Sequence, residues 1–153
     1  MAQKSKKDYI VQTALPLFLD NGFKGSSIDM VVKLCGVSKP TIYNHFHDKS
    51  ALMMAVLEYW IELNKPLITP IKDLAALRHF AETKWLSQEA VRFYALVIGE
   101  GWRFPQAKTL FWDQFDGQWR KALTYLLEHS PQLAQTPAEL ILDHLLLNRL
   151  KQL

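Results

Sequence analysis

One short segment of the sequence contains the side chains best suited to binding chemistry. The hydroxyl groups of Thr41 and Tyr43 suit phosphate oxygens. The ammonium groups of Lys39 and Lys49 suit the same partners. Asn44 can pair with adenine, and Lys39 with guanine, in the major groove of DNA. The residue types of this segment therefore predict contact with nucleic acid.

These side chains belong to the second helix of a predicted helix-turn-helix. The sequence predicts a short first helix that Ser26 caps, with Asp29 completing a reciprocal capping arrangement. Gly36 then allows a tight reversal of the chain. Ser38 caps the following helix, and Pro40 falls in its first turn, where a missing amide hydrogen is harmless.

The second helix has one apolar side and one polar side. Ile42 and Phe46 are four positions apart, so they can face inward together with Val37. The polar residues between them are left to point outward. In a helix-turn-helix, the second helix enters the major groove while the first braces it. The pattern therefore favours DNA recognition.

Charge placement agrees with this interpretation. Residues 1–50 contain seven lysines and four acidic residues, and the remaining residues contain eleven basic and eleven acidic groups. The net charge of +3 thus lies in the first third of the chain, as a phosphate-binding surface requires. A solvated lysine-rich start, including Lys4, Lys6 and Lys7, would give the same count.

Helical periodicity runs through the whole sequence, which predicts an all-α fold of eight helices. The first is expected from Lys4 to Asp20, closed by Gly22, with a kink near Gln12 because Pro16 removes a backbone hydrogen bond. The helices after the helix-turn-helix are expected to begin at Asp48, at Thr69-Pro70, at Ser87, at Pro105 and at Thr136.

Composition restricts the compartment and the chemistry. The single cysteine, Cys35, cannot form an internal disulfide, which favours a reducing compartment. Its apolar neighbours in the sequence favour a role as a small core residue. The sequence contains neither a clear export signal nor an unbroken apolar run long enough for a membrane span. We expect a cytoplasmic protein. It has no motif of an enzyme and no predicted cofactor, and His79 with Glu82 falls short of a metal ligand set.

Between Leu17 and Leu52, residues at fixed spacings form a pattern typical of one family. They are Leu17-Phe18, Gly22-Phe23, Ser26-Ser27, Cys35-Gly36-Val37-Ser38, Thr41-Ile42-Tyr43, His45-Phe46, Lys49 and Leu52. This run resembles the N-terminal domain of TetR-type bacterial transcriptional regulators. A weaker resemblance covers residues 96–115, where many such regulators have an apolar helix that ends in Glu, a basic residue, Phe and Pro.

The resemblance implies a homodimer that binds double-stranded DNA at a near-palindromic operator, usually as a repressor. It implies a DNA-binding domain at residues 1–50 and a helical ligand-binding and dimerisation domain at residues 51–153, which is short by comparison because the family usually has nine or more helices and a longer chain. Carried over by position, the phosphate contacts are Ser27, Thr41, Tyr43 and Lys49, and the base-facing residues are Lys39, Pro40, Asn44 and His45. Ser38 completes the predicted DNA-binding set as the cap of the recognition helix.

Several assignments in the second part of the chain stay open. Its many aromatic residues could line a pocket for a small apolar or aromatic effector, or they could simply pack the core. The apolar last helix could be covered by a second subunit or within the chain. Glu100 and Arg103 could form an ion pair, or Glu100 could face a ligand. The alternative function is a helical small-molecule-binding or interaction protein whose helix-turn-helix is not used on DNA.

Overall fold

The computed structural model describes residues 5–130 and 137–153, and the regular secondary structure of these residues is entirely helical. The predicted all-α fold is confirmed. The α-helices are α1 Lys6–Gly25, α2 Ile28–Cys35, α3 Lys39–His45, α4 Lys49–Leu63, α5 Leu74–Phe80, α6 Gln88–Glu100, α7 Pro105–Leu110, α8 Gly117–Glu128 and α9 Ala138–Leu150. The predicted helix starts at Lys4 and Thr136 lie outside the described residues.

Three short helical segments of other types complete the backbone. A π-helical turn, Ala81–Trp85, continues α5, and a second, Phe111–Asp116, joins α7 to α8. A 3₁₀ turn, Gly101–Arg103, follows α6. Since α5 and its π turn are continuous, as are α7, its π turn and α8, the described residues form eight helical runs, as predicted.

The chain forms two compact units. The first unit consists of the described part of Met1–Leu63 together with Leu96–Phe111, and the second consists of the described part of Asn64–Ala95 and Trp112–Leu153. These two units are defined by the packing of the chain. The predicted division into a DNA-binding domain, residues 1–50, and a second domain, residues 51–153, is a division by function and stays a prediction.

The core of the first unit follows from helical spacing. Ile10, Ala14 and Phe18 repeat every four residues along α1, so they lie on one face, and all three are buried. This face packs against α4, whose Leu52 and Val56 are also fully buried. α1 also packs against α2, α2 against α3, and α4 against α7. The short helices are therefore held by packing, because helices of their length are marginal alone.

Helix α1 breaks at Gly22, where the sequence predicts its end, and helical structure resumes as far as Gly25 without the kink predicted near Gln12. Ser5 caps it, accepting a hydrogen bond from the Asp8 amide at 3.1 Å. Helical backbone angles continue past Pro16, and the helix breaks instead at Gly22, where φ is 72° and ψ is 178°. The kink expected near Gln12 is therefore replaced by a break at the glycine, which tolerates a positive φ.

The cap of α2 is Ser27, so the prediction of Ser26 is wrong. The Ser27 hydroxyl accepts a hydrogen bond from the Met30 amide at 3.2 Å. Ser26 is buried and turns back to α1, where its hydroxyl lies 2.6 Å from the Gly22 carbonyl and 3.2 Å from that of Leu17. Asp29 faces solvent in the first turn of α2 instead of completing a capping box.

The predicted start of the fifth helix is also wrong. α5 begins at Leu74, not at Thr69-Pro70, because the Asp73 carboxylate accepts a hydrogen bond from the Ala76 amide at 2.7 Å and caps the helix there. The starts near Asp48, Ser87 and Pro105 are confirmed.

The second unit has an aromatic core crossed by a chain of polar contacts. The Tyr94 hydroxyl accepts a hydrogen bond from the Trp85 indole at 2.9 Å and donates one to the Asp116 carboxylate. Arg120 pairs with Asp116 at 2.9 Å and with Asp143 of α9 at 2.7 Å. Burial and the neighbouring Asp116 carboxylate raise the pKa of Tyr94 far above its ordinary value.

Most of the aromatic residues that the sequence offers for an effector pocket are core residues. The buried ones are Trp60, Trp85, Phe104, Phe111, Phe115 and Trp119. Trp102 is 70% exposed, and Arg103 lies over its ring at 4.1 Å. Across residues 5–130 and 137–153, every helix is too short or too polar to cross a membrane.

Candidate nucleic-acid interface

The turn between α2 and α3 depends on one glycine. Gly36 has φ 66° and ψ 20°, the left-handed conformation that ends many helices. Its amide donates to the Val32 carbonyl at 3.0 Å. A side chain here would meet no neighbour within 4 Å, so the constraint comes from the backbone conformation and not from space. The glycine sets the direction in which α3 leaves the turn.

Serine and proline residues define the start of α3. The Ser38 hydroxyl accepts a hydrogen bond from the Thr41 amide at 3.2 Å and lies 2.7 Å from the Thr41 hydroxyl. Pro40 occupies the first turn, where the helix has no use for its missing amide hydrogen. The predicted cap and start of this helix are confirmed.

The two sides of α3 differ sharply in exposure. Ile42 is 0% exposed and Phe46 is 3% exposed, so both anchor the helix to the first unit. The side chains of Tyr43, Asn44 and His45 are exposed. The helix thus presents a phenol, an amide and an imidazole to solvent from a braced backbone, as a groove-reading helix requires.

Lys39 is paired with a residue of the preceding helix. Its ammonium group lies 2.9 Å from the Asp29 carboxylate, and both side chains are well exposed. The hydrogen bond and the charge of Asp29 raise the pKa of Lys39. Lys39 therefore stays charged at neutral pH, and its ammonium group is engaged by Asp29.

Lys49 is turned toward the protein backbone. Its ammonium group donates to the carbonyls of Phe23 at 2.7 Å and Ser26 at 3.0 Å, and it lies 4.3 Å from the centre of the Phe23 ring. Burial is the main cause that lowers the pKa of Lys49. Lys49, a predicted phosphate contact, is therefore a half-buried side chain at the first residue of α4.

Glu100 is a residue of this region whose role the sequence did not reveal. Its carboxylate accepts hydrogen bonds from the amides of Phe23 at 3.2 Å and Lys24 at 2.7 Å. It also lies 3.8 Å from the Arg103 guanidinium, so the ion-pair alternative is the one that the structure contains. Its backbone partners are more than seventy positions earlier in the chain, which no local pattern can indicate.

A surface groove of about 590 Å³ lies beside the interface within the first unit. Its lining includes the apolar side chains of Phe46, Met54 and Phe104 and the charged side chains of Lys7 and Glu58. Across the described residues, no cluster of three or more His, Cys, Asp or Glu side chains is arranged to hold a metal ion.

Comparison with known proteins supports the helix-turn-helix assignment. The family model of bacterial regulatory proteins of the tetR family matches residues 10–56. The transcriptional regulator RutR of Escherichia coli strain K12 is 33% identical over 111 residues, which is 72% of this chain and 48% of RutR. The chain spans from about a quarter to about half the length of the curated relatives it matches.

Solved structures agree over more of the chain. The flavonoid-responsive regulator FrrA is 30% identical, with a TM-score of 0.57 over 80% of this chain and 66% of FrrA. A protein assigned to the TetR family from Mesorhizobium loti MAFF303099 is 14% identical, with a TM-score of 0.63 over 97% of this chain and 96% of that one. The second likeness concerns the fold alone.

Proposed function

Because the chain belongs to the TetR family of bacterial regulatory proteins, we propose that it is a sequence-specific DNA-binding transcriptional regulator. In this proposal α3 enters the major groove and α2 braces it across the groove edge. The protein acts by binding, not by catalysis, and works in the cytoplasm, where operator DNA is found.

The observation that carries the proposal is the two-sided character of α3. Ile42 and Phe46 fix the helix from below, while its exposed side offers hydrogen-bonding groups of several kinds. The glycine turn and the serine cap set the direction and the start of this helix. These features together fit a helix held for recognition.

The proposed contacts divide by their chemical partner. Hydroxyl and ammonium groups at the edges of the helix-turn-helix bind phosphates, and groups along α3 face the bases. The phosphate set is Ser27, Thr41, Tyr43 and Lys49, the base-facing set is Lys39, Pro40, Asn44 and His45, and Ser38 belongs to the interface as the cap of α3. Lys39 must leave Asp29 to reach a base, and Lys49 must extend beyond its backbone carbonyls to reach a phosphate.

The proposal includes a homodimer that represses from a near-palindromic operator. Support for a second subunit comes from α9, where Leu140 and Leu147 are 64% and 56% exposed. They are seven positions apart, so they share one stripe of the helix. Residues 1–50 would bind DNA, and residues 51–153 would dimerise and bind an effector. FrrA is named as flavonoid-responsive, which supports a small apolar or aromatic effector here.

Selection of bound fragments from genomic DNA tests the function directly. We expect the chain to enrich a two-fold symmetric sequence, with binding that weakens steeply as salt rises, because phosphate contacts release counterions. The control is a variant with the exposed face of α3 removed, Tyr43→Ala with Asn44→Ala, checked for native helix content by circular dichroism. Equal enrichment by the control would contradict the proposal.

The same selection experiment distinguishes the proposed function from the alternative one. A helical small-molecule-binding or interaction protein that does not use its helix-turn-helix on DNA would enrich no sequence. Any residual retention of DNA by its positive charge would lack sequence preference.

A further inference from the structure

Glu100 holds the link between α1 and α2 through the backbone. We define the α1–α2 link as residues 22–27, which follow the break in α1 and precede α2. The two carboxylate oxygens of Glu100 are shared between neighbouring amides, with Oε1 on Phe23 and Oε2 on Lys24. A carboxylate bound by two backbone amides makes stronger hydrogen bonds than a neutral acceptor would.

Gly22 makes room for this carboxylate. A Cβ atom at position 22 would collide with Oε1 of Glu100. Its positive φ of 72° also disfavours any residue with a side chain. Glycine at position 22 therefore permits both the positive φ of the backbone and its close approach to the Glu100 carboxylate.

Lys49 holds the opposite groups of the same link. While Glu100 accepts from the amides, the Lys49 ammonium donates to the carbonyls of Phe23 and Ser26. The Phe23 ring contacts both the Lys49 ammonium, 4.3 Å from its centre, and the Phe104 ring, whose centre is 4.8 Å away. The link is thus held both by the first residue of α4 and by the last residue of α6.

The position of this link determines where the helix-turn-helix begins. Its last residue, Ser27, caps α2, and α2 packs on α3. Lys49 is the first residue of α4, which follows α3 after a short turn. A displacement of the link would therefore be transmitted to both ends of the α2–α3 pair, because packed helices shift as units.

We infer that Glu100 is a positioning residue for DNA binding, which fixes the α1–α2 link and with it the angle at which α3 is presented. This inference rests on the proposed function. Glu100 itself touches no DNA in this arrangement, since its carboxylate is occupied by the backbone of the link and by Arg103.

The test compares Glu100→Gln and Glu100→Ala with the matched control Glu128→Gln, which changes an exposed carboxylate of α8 in the same way. Hydrogen exchange of the Phe23 and Lys24 amides measures the link, and exchange across residues 39–45 measures α3. Affinity for the enriched DNA sequence measures function. Thermal unfolding measures overall stability.

We expect Glu100→Gln to speed exchange of the two amides by about tenfold, because hydrogen bonds to a charged acceptor are lost or weakened. Exchange in α3 should also rise, and DNA affinity should fall by about tenfold. Glu100→Ala should have larger effects in the same direction. Glu128→Gln should leave all four measurements unchanged. A general loss of structure would instead speed exchange throughout the core, including Leu52 and Val56 of α4.

Two results would overturn the inference. One is unchanged exchange at Phe23 and Lys24 in both Glu100 variants. The other is faster exchange there with unchanged α3 exchange and unchanged DNA affinity. If the wild-type chain selects no DNA sequence, the proposed function fails on its own, and exchange across α3 then decides whether Glu100 positions that helix.

Discussion

The ammonium group of Lys39 lies 2.9 Å from the carboxylate of Asp29, so the first residue of α3 is tied to the first turn of α2. Both groups are exposed to solvent, where an ion pair is weak and is screened by salt. The pair therefore holds Lys39 only weakly, and under the proposed function it would compete with DNA for this side chain. Asp29 also places a negative charge beside the surface that is proposed to meet phosphates.

Asp29→Asn is expected to strengthen DNA binding by a few-fold at low salt, because it frees Lys39 and removes a repulsive charge. Fluorescence anisotropy with the enriched DNA sequence measures the change. Comparison with Lys39→Ala and the double variant separates the two causes, since a pairwise interaction makes their effects non-additive. If Asp29→Asn weakens binding, the acidic residue has a supporting role that the proposal does not contain.

Asn44→Ala and Tyr43→Ala are expected to weaken binding in different ways. Loss of a base-pairing amide at Asn44 should cost about 1–3 kcal/mol on the preferred sequence and little on other sequences. Loss of the Tyr43 phenol should weaken binding to all sequences alike, because a phosphate contact carries no sequence information. Titration of each variant with the enriched sequence and with a scrambled one measures the difference. Equal loss on both sequences for Asn44→Ala would remove it from the base-facing set.

The helix-turn-helix could be predicted from the sequence because its signals are local. Gly36 needs a left-handed backbone, Ser38 needs a free amide three residues later, and Ile42 with Phe46 gives the inner face. Each of these depends on residues within one turn of helix. The structure confirms all of them.

Choices between chemically similar neighbours could not be made from sequence. Ser26 and Ser27 both suit a helix cap, and only the fold shows that Ser26 turns inward. Asp73 and the Thr69-Pro70 pair both suit a helix start, and the cap at Asp73 prevails. For the two serines the packing of Ser26 against α1 decides, whereas at α5 the local hydrogen bond of Asp73 sets the start.

Contacts between distant parts of the chain cannot be predicted from local sequence patterns. Glu100 meets backbone amides, which carry no side-chain signature, so no residue pattern at Phe23 and Lys24 announces it. Lys49 contacts backbone carbonyls, which likewise carry no side-chain signature, and its phosphate contact stays a prediction. Hydrogen bonds between charged side chains and distant backbone groups are thus the part of the site that requires the three-dimensional structure.

Ser26→Ala is expected to destabilise the protein by about 1–2 kcal/mol, because it removes a buried hydroxyl that donates to the backbone carbonyls of Leu17 and Gly22. Chemical denaturation followed by circular dichroism measures the change. The control is Ser50→Ala at an exposed position, for which a change within about 0.5 kcal/mol is expected. Equal effects of the two substitutions would show that the buried hydroxyl contributes no net stability.

Tyr94→Phe is expected to cost about 1–3 kcal/mol, because it leaves the Trp85 indole and one Asp116 oxygen without their shared partner in the core. Tyr125→Phe removes the same atom from an exposed ring and should change stability by less than about 0.5 kcal/mol. Denaturant titrations of both variants supply the comparison. If Tyr94→Phe is as stable as the wild type, the polar chain in the second unit is replaceable by apolar packing.

The burial of Cys35 is expected to protect its thiol from chemical modification. The thiol is 7% exposed, and burial raises its pKa above the ordinary value of 9.0, partly opposed by a hydrogen bond with Thr13. In native buffer an alkylating reagent should therefore react with the native thiol at least about tenfold more slowly than with the unfolded chain. Mass spectrometry with and without denaturant measures the two rates.

The same shift fixes the sign of a pH effect on stability. Above pH 9.0 the unfolded chain loses the Cys35 proton while the folded chain still retains it. The folded state then binds more protons, so the free energy of unfolding falls as pH rises through this window. Cys35→Ala should lose less stability than the wild type between neutral pH and the region above pH 9.0, as measured by denaturant titration. A steeper loss in the variant would mean that the thiol ionises more readily in the folded protein than in the unfolded chain, contrary to its burial.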